Sequence, residues 1–178
     1  SFIENMSEIL GPELDEYLES YEKPKFTGLR VNTSKISVEE FERINPFKSL
    51  RRVPWTPNGY YYTEEDAPTK HPYYYAGLYY LQEPSAMAPA AVLPVCPGDK
   101  VLDLCAAPGG KSTQIAALLQ GKGLIWSNEI VRNRAQVLLS NMERMGVRNG
   151  VISSCGPDQL CRGLEGFFDC VLVDAPCS

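Results

Sequence analysis

The residues whose types and spacing suggest ligand binding or catalysis are concentrated in the second half of the chain. The stretch LDLCAAPGGKSTQ, residues 102–114, follows an apolar segment and precedes a helix-forming one, which predicts a tight turn between a strand and a helix. Backbone N–H groups in such a turn and at the start of the helix bind anionic groups. An acid follows at Glu129, and an acid and a thiol follow at Asp174 and Cys177. The pattern therefore predicts a ligand site with reactive side chains beside it.

The turn is close to a phosphate-binding P-loop but does not match it. A P-loop reads G-x-x-x-x-G-K-[ST], and Gly110, Lys111 and Ser112 fit, whereas Cys105 replaces the first glycine. A Cβ atom there disfavours the positive φ that glycine tolerates. The segment CVLVDAP favours this alternative, because its aspartate could bind the magnesium of a nucleoside triphosphatase. The dinucleotide pattern G-x-G-x-x-G is absent.

A site for S-adenosylmethionine (SAM) explains more of these positions. Its usual turn reads acid-x-G-x-G-x-G, and residues 103–109 keep that spacing, with Asp103 as the acid and Cys105 and Ala107 at glycine places. Glu129 falls at the end of the next strand, where a carboxylate can accept hydrogen bonds from both ribose hydroxyls. The structural alternative is that Glu129 caps the following helix. Its joint placement with the turn favours SAM.

The spacing of apolar residues divides the chain into a small α+β lobe over residues 1–84 and an α/β core over residues 85–178. In the lobe, a helical segment is interrupted near Gly11 and is followed by a strand, a short helix and tyrosine-rich extended pieces. In the core, strands and helices alternate, which predicts a parallel, doubly wound sheet with helices on both faces. Only about half of such a sheet is present after the fourth strand, so we expect a piece of a longer protein.

Composition narrows the classes of function. The net charge of −5 argues against a general nucleic-acid binder, although basic residues slightly outnumber acids over residues 22–72 and interleave with tyrosines, which is compatible with RNA contact. Neither an apolar run of about 18 residues nor a secretory signal is found, so we expect a cytoplasmic protein without a membrane segment. The six cysteines predict free thiols. With His71 as the single histidine and no C-x-x-C pair, no metal site is predicted.

Several motifs together resemble one enzyme family. The segments LDLCAAPGGKS, NEI followed by an arginine, VLVDAPCS, GLRVNT and YYLQEPSAM resemble the Sun/Fmu-type RNA cytosine-carbon-5 methyltransferases, in particular their bacterial RsmF-like branch, which methylates small-subunit ribosomal RNA. The resemblance implies a Rossmann-like SAM-dependent methyltransferase core, SAM as the cofactor and ribosomal RNA as the partner. It does not predict the oligomeric state. A noncatalytic RNA-binding module stays open as an alternative.

The resemblance also implies roles for individual residues. The residues expected to bind the cofactor are Cys105, Ala106, Ala107, Pro108, Gly109, Gly110, Lys111, Glu129 and Asp174. Lys111, which by itself could be a solvated lysine, would line the methionine end. Family members often carry another acid on the adenine side; Gly156 stands there in this chain, and Asp158 is the possible substitute. Arg30, Asn32 and residues 82–85 would shape the cleft and the RNA path.

Two catalytic residues are expected. Cytosine carbon 5 becomes nucleophilic when a thiolate adds to carbon 6 and an acid engages ring nitrogen 3. The resemblance implies that Asp174 is this acid and that Cys177 assists release of the product, although in related DNA methyltransferases the Pro-Cys thiol is itself the nucleophile. The attacking cysteine of the family lies in a later Thr-Cys or Ser-Cys motif, which is not found after Asp174. We therefore expect the chain alone to be inactive.

Overall fold

The structure, a computed structural model, describes residues 1–22 and 25–175. It begins with helix α1 (Phe2–Leu10), capped by the Ser1 side chain, and helix α2 (Leu14–Ser20). A short 3-10 turn, Gly11–Glu13, separates them where the sequence predicts an interruption. Gly11 has φ of 51°, which favours glycine over other residues.

The N-terminal lobe is built on a four-stranded antiparallel sheet of order β2-β3-β1-β4. Its elements in chain order are β1 (Thr27–Val31), α3 (Val38–Ile44), β2 (Arg51–Arg52), β3 (Gly59–Tyr62), α4 (Pro72–Tyr75) and β4 (Tyr79–Leu81). Ser37 caps α3 by accepting a hydrogen bond of 3.1 Å from the Glu40 N–H. One face of the sheet packs Leu29, Tyr60 and Tyr79 against Phe41 of α3. Most of the lobe's apolar core lies on that face.

The second part is a four-stranded parallel sheet of order β7-β6-β5-β8. Its elements are α5 (Ala88–Val92), β5 (Lys100–Asp103), α6 (Gly110–Leu118), β6 (Leu124–Asn128), α7 (Arg132–Met145), β7 (Gly150–Ser153), α8 (Pro157–Leu160) and β8 (Cys170–Leu172). Helices α6 and α7 bury Ile115 and Leu138 against the central strands. The order is that of a doubly wound sheet: β6 and β7 are added on one side of β5, and β8 is added on the other side. The predicted fold class is confirmed.

A buried arginine joins the two parts. Arg30 on β1 is 1% exposed, and its Nη1 donates to the Gly110 carbonyl at 2.7 Å and to Gln114 Oε1 at 3.0 Å. Its Nη2 donates to Thr113 Oγ1 at 2.8 Å, and Nη1 also donates to Gln82 Oε1. Burial lowers the pKa of Arg30 to about 9, so the guanidinium is charged at neutral pH. The lobe is thereby held against the first turns of α6.

Two further side chains of the lobe hold the end of α7. Asn32 donates from Nδ2 to the carbonyls of Gly77 at 2.9 Å and Met145 at 2.8 Å. Lys35 donates from Nζ to the carbonyl of Arg144 at 2.7 Å, a favourable position for a cation at a helix C-terminus.

In the described residues, no helix is long and apolar enough to cross a membrane.

We expect Arg30 to be essential for stability. Arg30→Met removes the charged donors and leaves their buried acceptors unpaired, which should lower the free energy of unfolding by about 3 kcal/mol. Arg43→Met on the exposed side of α3 is the matched control, with an expected change within about 0.5 kcal/mol. Urea denaturation measures both, and equal midpoints would contradict the assigned role of Arg30.

Candidate functional site

The carboxyl ends of β5, β6 and β8 surround a cavity of about 670 Å³, a volume typical of cofactor sites. Residues 104–108 of the predicted turn form one wall, and residues 128–131 after β6 form another. Residues 80–83 of the lobe and Asp174 after β8 complete it. The sequence-predicted residues that line the cavity are Cys105, Ala106, Ala107, Pro108, Gly110, Lys111, Glu129 and Asp174.

Gly109 shapes the turn without lining the cavity. It is the N-cap of α6 with φ of 109°, and its N–H donates to the Ala106 carbonyl at 2.8 Å. A Cβ atom on Gly109 would also lie 3.1 Å from Leu138 Cδ1 on α7. The Ala106 N–H donates to the Asn128 carbonyl at 2.8 Å, which holds the turn beside β6. The path of the backbone therefore favours glycine at position 109.

Asp103, the acid that opens the turn, is 1% exposed and belongs to a buried polar network. Its Oδ2 accepts from Ser112 Oγ at 2.6 Å, and Ser112 Oγ accepts from Ser127 Oγ at 2.9 Å. Its Oδ1 has no hydrogen-bond partner within the described part of the chain. Burial raises the pKa of Asp103 to about 6, against the opposing effects of Ser112 and Lys111. An unpaired carboxylate oxygen under the turn adds negative potential to this end of the cavity.

Glu129 is 3% exposed, and its two oxygens have different partners. Oε1 accepts from the Val131 N–H at 2.9 Å, which supports the entry into α7, and Oε2 lies 3.4 Å from Arg134 Nη1. The alternative role of Glu129, as a cap of the helix that follows it, is therefore partly observed. An ionised carboxylate has about four acceptor positions, so it can also accept hydrogen bonds from a ligand in the cavity.

Lys111, in the first turn of α6, and Asp174, which follows β8, form an ion pair. The Lys111 side chain is 18% exposed, so it is not the solvated lysine of the alternative interpretation, whereas the Asp174 side chain is 52% exposed. Burial raises the pKa of the nearby Cys105 thiol, and the negative charges of Asp103, Glu129 and Asp174 raise it further. Cys105 is therefore a protonated thiol at neutral pH and not an activated nucleophile.

Two polar residues of the site were not recognised in the sequence. Asn128 donates from Nδ2 to the carbonyls of Leu104 at 3.3 Å and Cys155 at 3.0 Å, which links the loops after β5, β6 and β7. Arg134 donates from Nη2 to the Ala107 carbonyl at 3.0 Å while facing Glu129. The available signals were the position of Asn128 beside Glu129 at a strand end, and the arginine that follows in the same motif.

The remaining expectations concern the adenine side and the last residues. Gly156 caps α8, and Pro157 lines the cavity after β7, whereas Asp158 lies in the exposed first turn of α8. Cys177 lies outside the described residues. Within residues 1–22 and 25–175, no group of three or more His, Cys, Asp or Glu side chains is arranged to hold a metal ion.

The strand order, the glycine turn after the first core strand and the acid after the second define a Rossmann-like methyltransferase. Family models agree with this class: one described as the N-terminal domain of 16S rRNA methyltransferase RsmF matches residues 1–84. Another, described as 16S rRNA methyltransferase RsmB/F, matches residues 90–178. The chain belongs to the RsmB/F family of 16S rRNA methyltransferases. The expected family is confirmed, and with it SAM as the cofactor of the class, which contradicts the nucleoside triphosphatase alternative.

Similar proteins are longer than this chain. Ribosomal RNA small subunit methyltransferase F of Vibrio parahaemolyticus is 37% identical over 100% of the chain and 39% of its own length. The Vibrio atlanticus protein of the same name is 40% identical, over 99% of the chain and 39% of its own length. A crystal structure of a methyltransferase homologue from Pyrococcus horikoshii is 37% identical with a TM-score of 0.82, covering 94% of this chain and 56% of that one. The chain spans about 39% of the length of the curated relatives it matches.

Asp103 should make stability depend on pH. Because its pKa rises from 3.8 to about 6 on folding, the folded state holds this proton to a higher pH than the unfolded state does. Its contribution to stability is therefore greatest below about pH 4 and falls by roughly 3 kcal/mol as the pH rises through 6. Asp103→Asn should remove this fall in urea titrations, whereas the exposed Asp15→Asn should retain it. Parallel pH profiles for wild type and Asp103→Asn would contradict the assignment.

Proposed function

We propose that the chain is the N-terminal part of an enzyme that transfers a methyl group from SAM to carbon 5 of a cytosine in small-subunit ribosomal RNA. The observation that carries this proposal is the cavity in which the buried carboxylate of Glu129 and the turn of residues 104–111 meet. Family membership and the similar small-subunit methyltransferases support ribosomal RNA as the substrate. The cytosine and its carbon 5 come from the resemblance of the motifs.

The residues present fit SAM. Its ribose is a diol, and Glu129 is a buried carboxyl group directly after β6, where such a diol is held in Rossmann folds. Its methionine part carries a carboxylate and an ammonium group, which match the Lys111 side chain, the turn N–H groups and the negative potential of Asp103. Ile130 and Pro157 offer apolar surface for the adenine ring, and Pro157 is next to Gly156, which stands where an acid is often found. When bound, SAM supplies an electrophilic methyl group on its sulfonium.

We assign to Asp174 the role of binding the cytosine base. It lies at the cavity edge next to Lys111, with about half of its side chain exposed, so a base that enters the cavity can reach its carboxyl group. There its carboxyl group, in the protonated form, would donate a hydrogen bond to ring nitrogen 3 of cytosine, which has no proton of its own. The base must leave its stack to enter, so the substrate is an unpaired or locally opened stretch of RNA. We assign release of the product to Cys177.

We further propose that residues 1–84 are an RNA-facing lobe and that residues 85–178 are the first half of the methyltransferase core. The chain spans about 39% of its relatives and has no Thr-Cys or Ser-Cys after Asp174 to attack cytosine carbon 6. It would therefore bind SAM but not turn over. A cytoplasmic location belongs to the same proposal, since ribosomal RNA of bacteria is there.

Cofactor binding tests the site directly. Glu129→Gln keeps an oxygen for the Val131 N–H but loses the charge, so SAM affinity should fall at least about 10-fold. Glu143→Gln on the exposed side of α7 is the matched control and should bind SAM as wild type does. Isothermal titration calorimetry with SAM, and separately with magnesium-ATP, measures the affinities. Binding of ATP instead of SAM would refute the proposal.

A methyl-transfer assay tests whether activity requires a cysteine beyond this chain. In a single-turnover assay with methyl-labelled SAM and small-subunit ribosomal RNA, the 178-residue chain should transfer no label, because the attacking thiol is missing. A longer protein that includes this chain and a later Thr-Cys or Ser-Cys should label carbon 5 of a cytosine, as read by mass spectrometry of the nucleosides. Robust labelling by the 178-residue chain would contradict the proposed need for a later cysteine.

A further inference from the structure

The lobe carries exposed aromatic side chains that do not belong to its core. Phe26, Tyr61 and Trp55 follow one another, with ring centroids 5.7 Å apart for Phe26 and Tyr61 and 6.4 Å apart for Tyr61 and Trp55. The Arg51 guanidinium lies 5.8 Å from the centroid of the Tyr61 ring. Phe26 is 68% exposed and Trp55 43% exposed, although aromatic rings normally bury most of their area. We call these four residues the aromatic strip.

The aromatic strip lies on the sheet face that leads to the cavity. In the strand register Tyr61 stands opposite Gly28 and Arg51, and Arg30 stands opposite Tyr80. Because Gly28 and Arg30 are two positions apart on β1, Tyr61 and Tyr80 share one face of the sheet. Tyr80 lines the cavity. The strip is therefore the outward continuation of the wall that the lobe contributes to the site.

A hydrogen bond fixes the inner end of the strip beside the cavity mouth. Trp55 Nε1 donates to the Pro84 carbonyl at 2.9 Å, and the neighbouring residue Glu83 lines the cavity. Pro84 in turn packs over Gly28, where a Cβ atom would lie 2.9 Å from Pro84 Cγ. The indole is thus held in place while much of its surface stays open. A chain that lies along the strip would reach the cavity without crossing another element of the lobe sheet.

The chemistry of the strip matches single-stranded nucleic acid. Aromatic rings bind successive bases by stacking, independent of sequence, and an arginine beside them adds cation–π and phosphate interactions. The contacts of Tyr61 with both neighbours are edge to face, with interplanar angles of 61° and 89°. Phe26 and Trp55, at the two ends of the strip, are the rings with exposed surface on which bases can stack. Arg51 supplies positive charge in a chain whose net charge is −5. Phosphates are expected on the Arg51 side, away from the carboxylate of Glu83.

We propose that the aromatic strip binds the bases of single-stranded RNA that flank the nucleotide entering the cavity. The proposal rests on the proposed function and adds to it the path of the substrate strand. The part of residues 1–84 that faces RNA would then be the aromatic strip. It would not be the tyrosines of α4 and β4, of which Tyr79 and Tyr80 are buried. A protein segment that covers the strip is the competing occupant.

Affinity for a short RNA tests the strip. The probe is a fluorescein-labelled, single-stranded 12-nucleotide RNA of mixed sequence, titrated with the 178-residue chain and read by fluorescence anisotropy. Phe26→Ala should weaken binding by about 5-fold or more, and Phe26→Tyr should restore it. Tyr75→Ala, at a 70% exposed aromatic on α4, is the matched control and should bind as wild type does. Because Phe26 is exposed, its removal leaves the core intact.

Charge and stacking have separate readouts. Arg51→Gln should lower the slope of log Kd against log salt by about one, whereas Arg43→Gln on the opposite side of the lobe should not change it. In a Trp126→Phe background, Trp55 is the single tryptophan of the chain, and stacking of bases should quench its fluorescence on titration with the same RNA. A duplex of the same sequence should quench it much less.

The outcomes separate this inference from the proposed function. If the wild-type chain binds SAM but the RNA affinity is the same for wild type, Phe26→Ala and Arg51→Gln, the strip proposal is wrong and the cofactor site stands. Absence of any binding to the probe leads to the same conclusion. If Phe26→Ala changes the oligomeric state and not the affinity for RNA, a protein surface covers the strip. Loss of SAM binding by the wild-type chain overturns the proposed function itself.

Discussion

The hydrogen bonds of the Arg30 guanidinium hold the two parts of the molecule in one arrangement. A buried guanidinium is costly unless its donors are satisfied, and its acceptors come from both Gln82, which follows β4, and the start of α6. Neither part alone could satisfy it. Because Gly110 belongs to the turn and Gln82 to the lobe, the same contacts set the distance between the opposite walls of the cavity. Stability and the shape of the site therefore depend on one side chain.

Three acidic residues at the ends of the core strands serve different purposes because their surroundings differ. Asp103 lies beneath the turn, where burial raises its pKa to about 6 and the Ser112 hydroxyl donates to one of its oxygens. Glu129 is also buried, but it has Arg134 and a backbone N–H as partners and faces the cavity. Asp174 is half exposed at the mouth and paired with Lys111. Asp103 therefore has a structural role, whereas Asp174 is accessible to a substrate.

The two faces of the lobe sheet have separate tasks. One face packs tyrosines against α3 and makes the lobe's own core. The other carries Arg30 and Tyr80 where it meets the methyltransferase core, and Tyr61 with Arg51 where it does not. A single antiparallel sheet thus joins the cofactor cavity to an open aromatic surface.

The sequence alone was sufficient for the alternating strands and helices, the glycine turn with Glu129 after the next strand, and the family, since these depend on residues close together in the chain. Strand β4 was not distinguished within HPYYYAGLYYL, because a short strand is defined by its pairing with β1 and not by its own pattern. The acceptors of Arg30, the bridging role of Asn128 and the contact of Arg134 with the turn were decided by tertiary structure alone. Each of these joins groups that are far apart in sequence, and local periodicity contains no information on which distant strand ends and loops will meet.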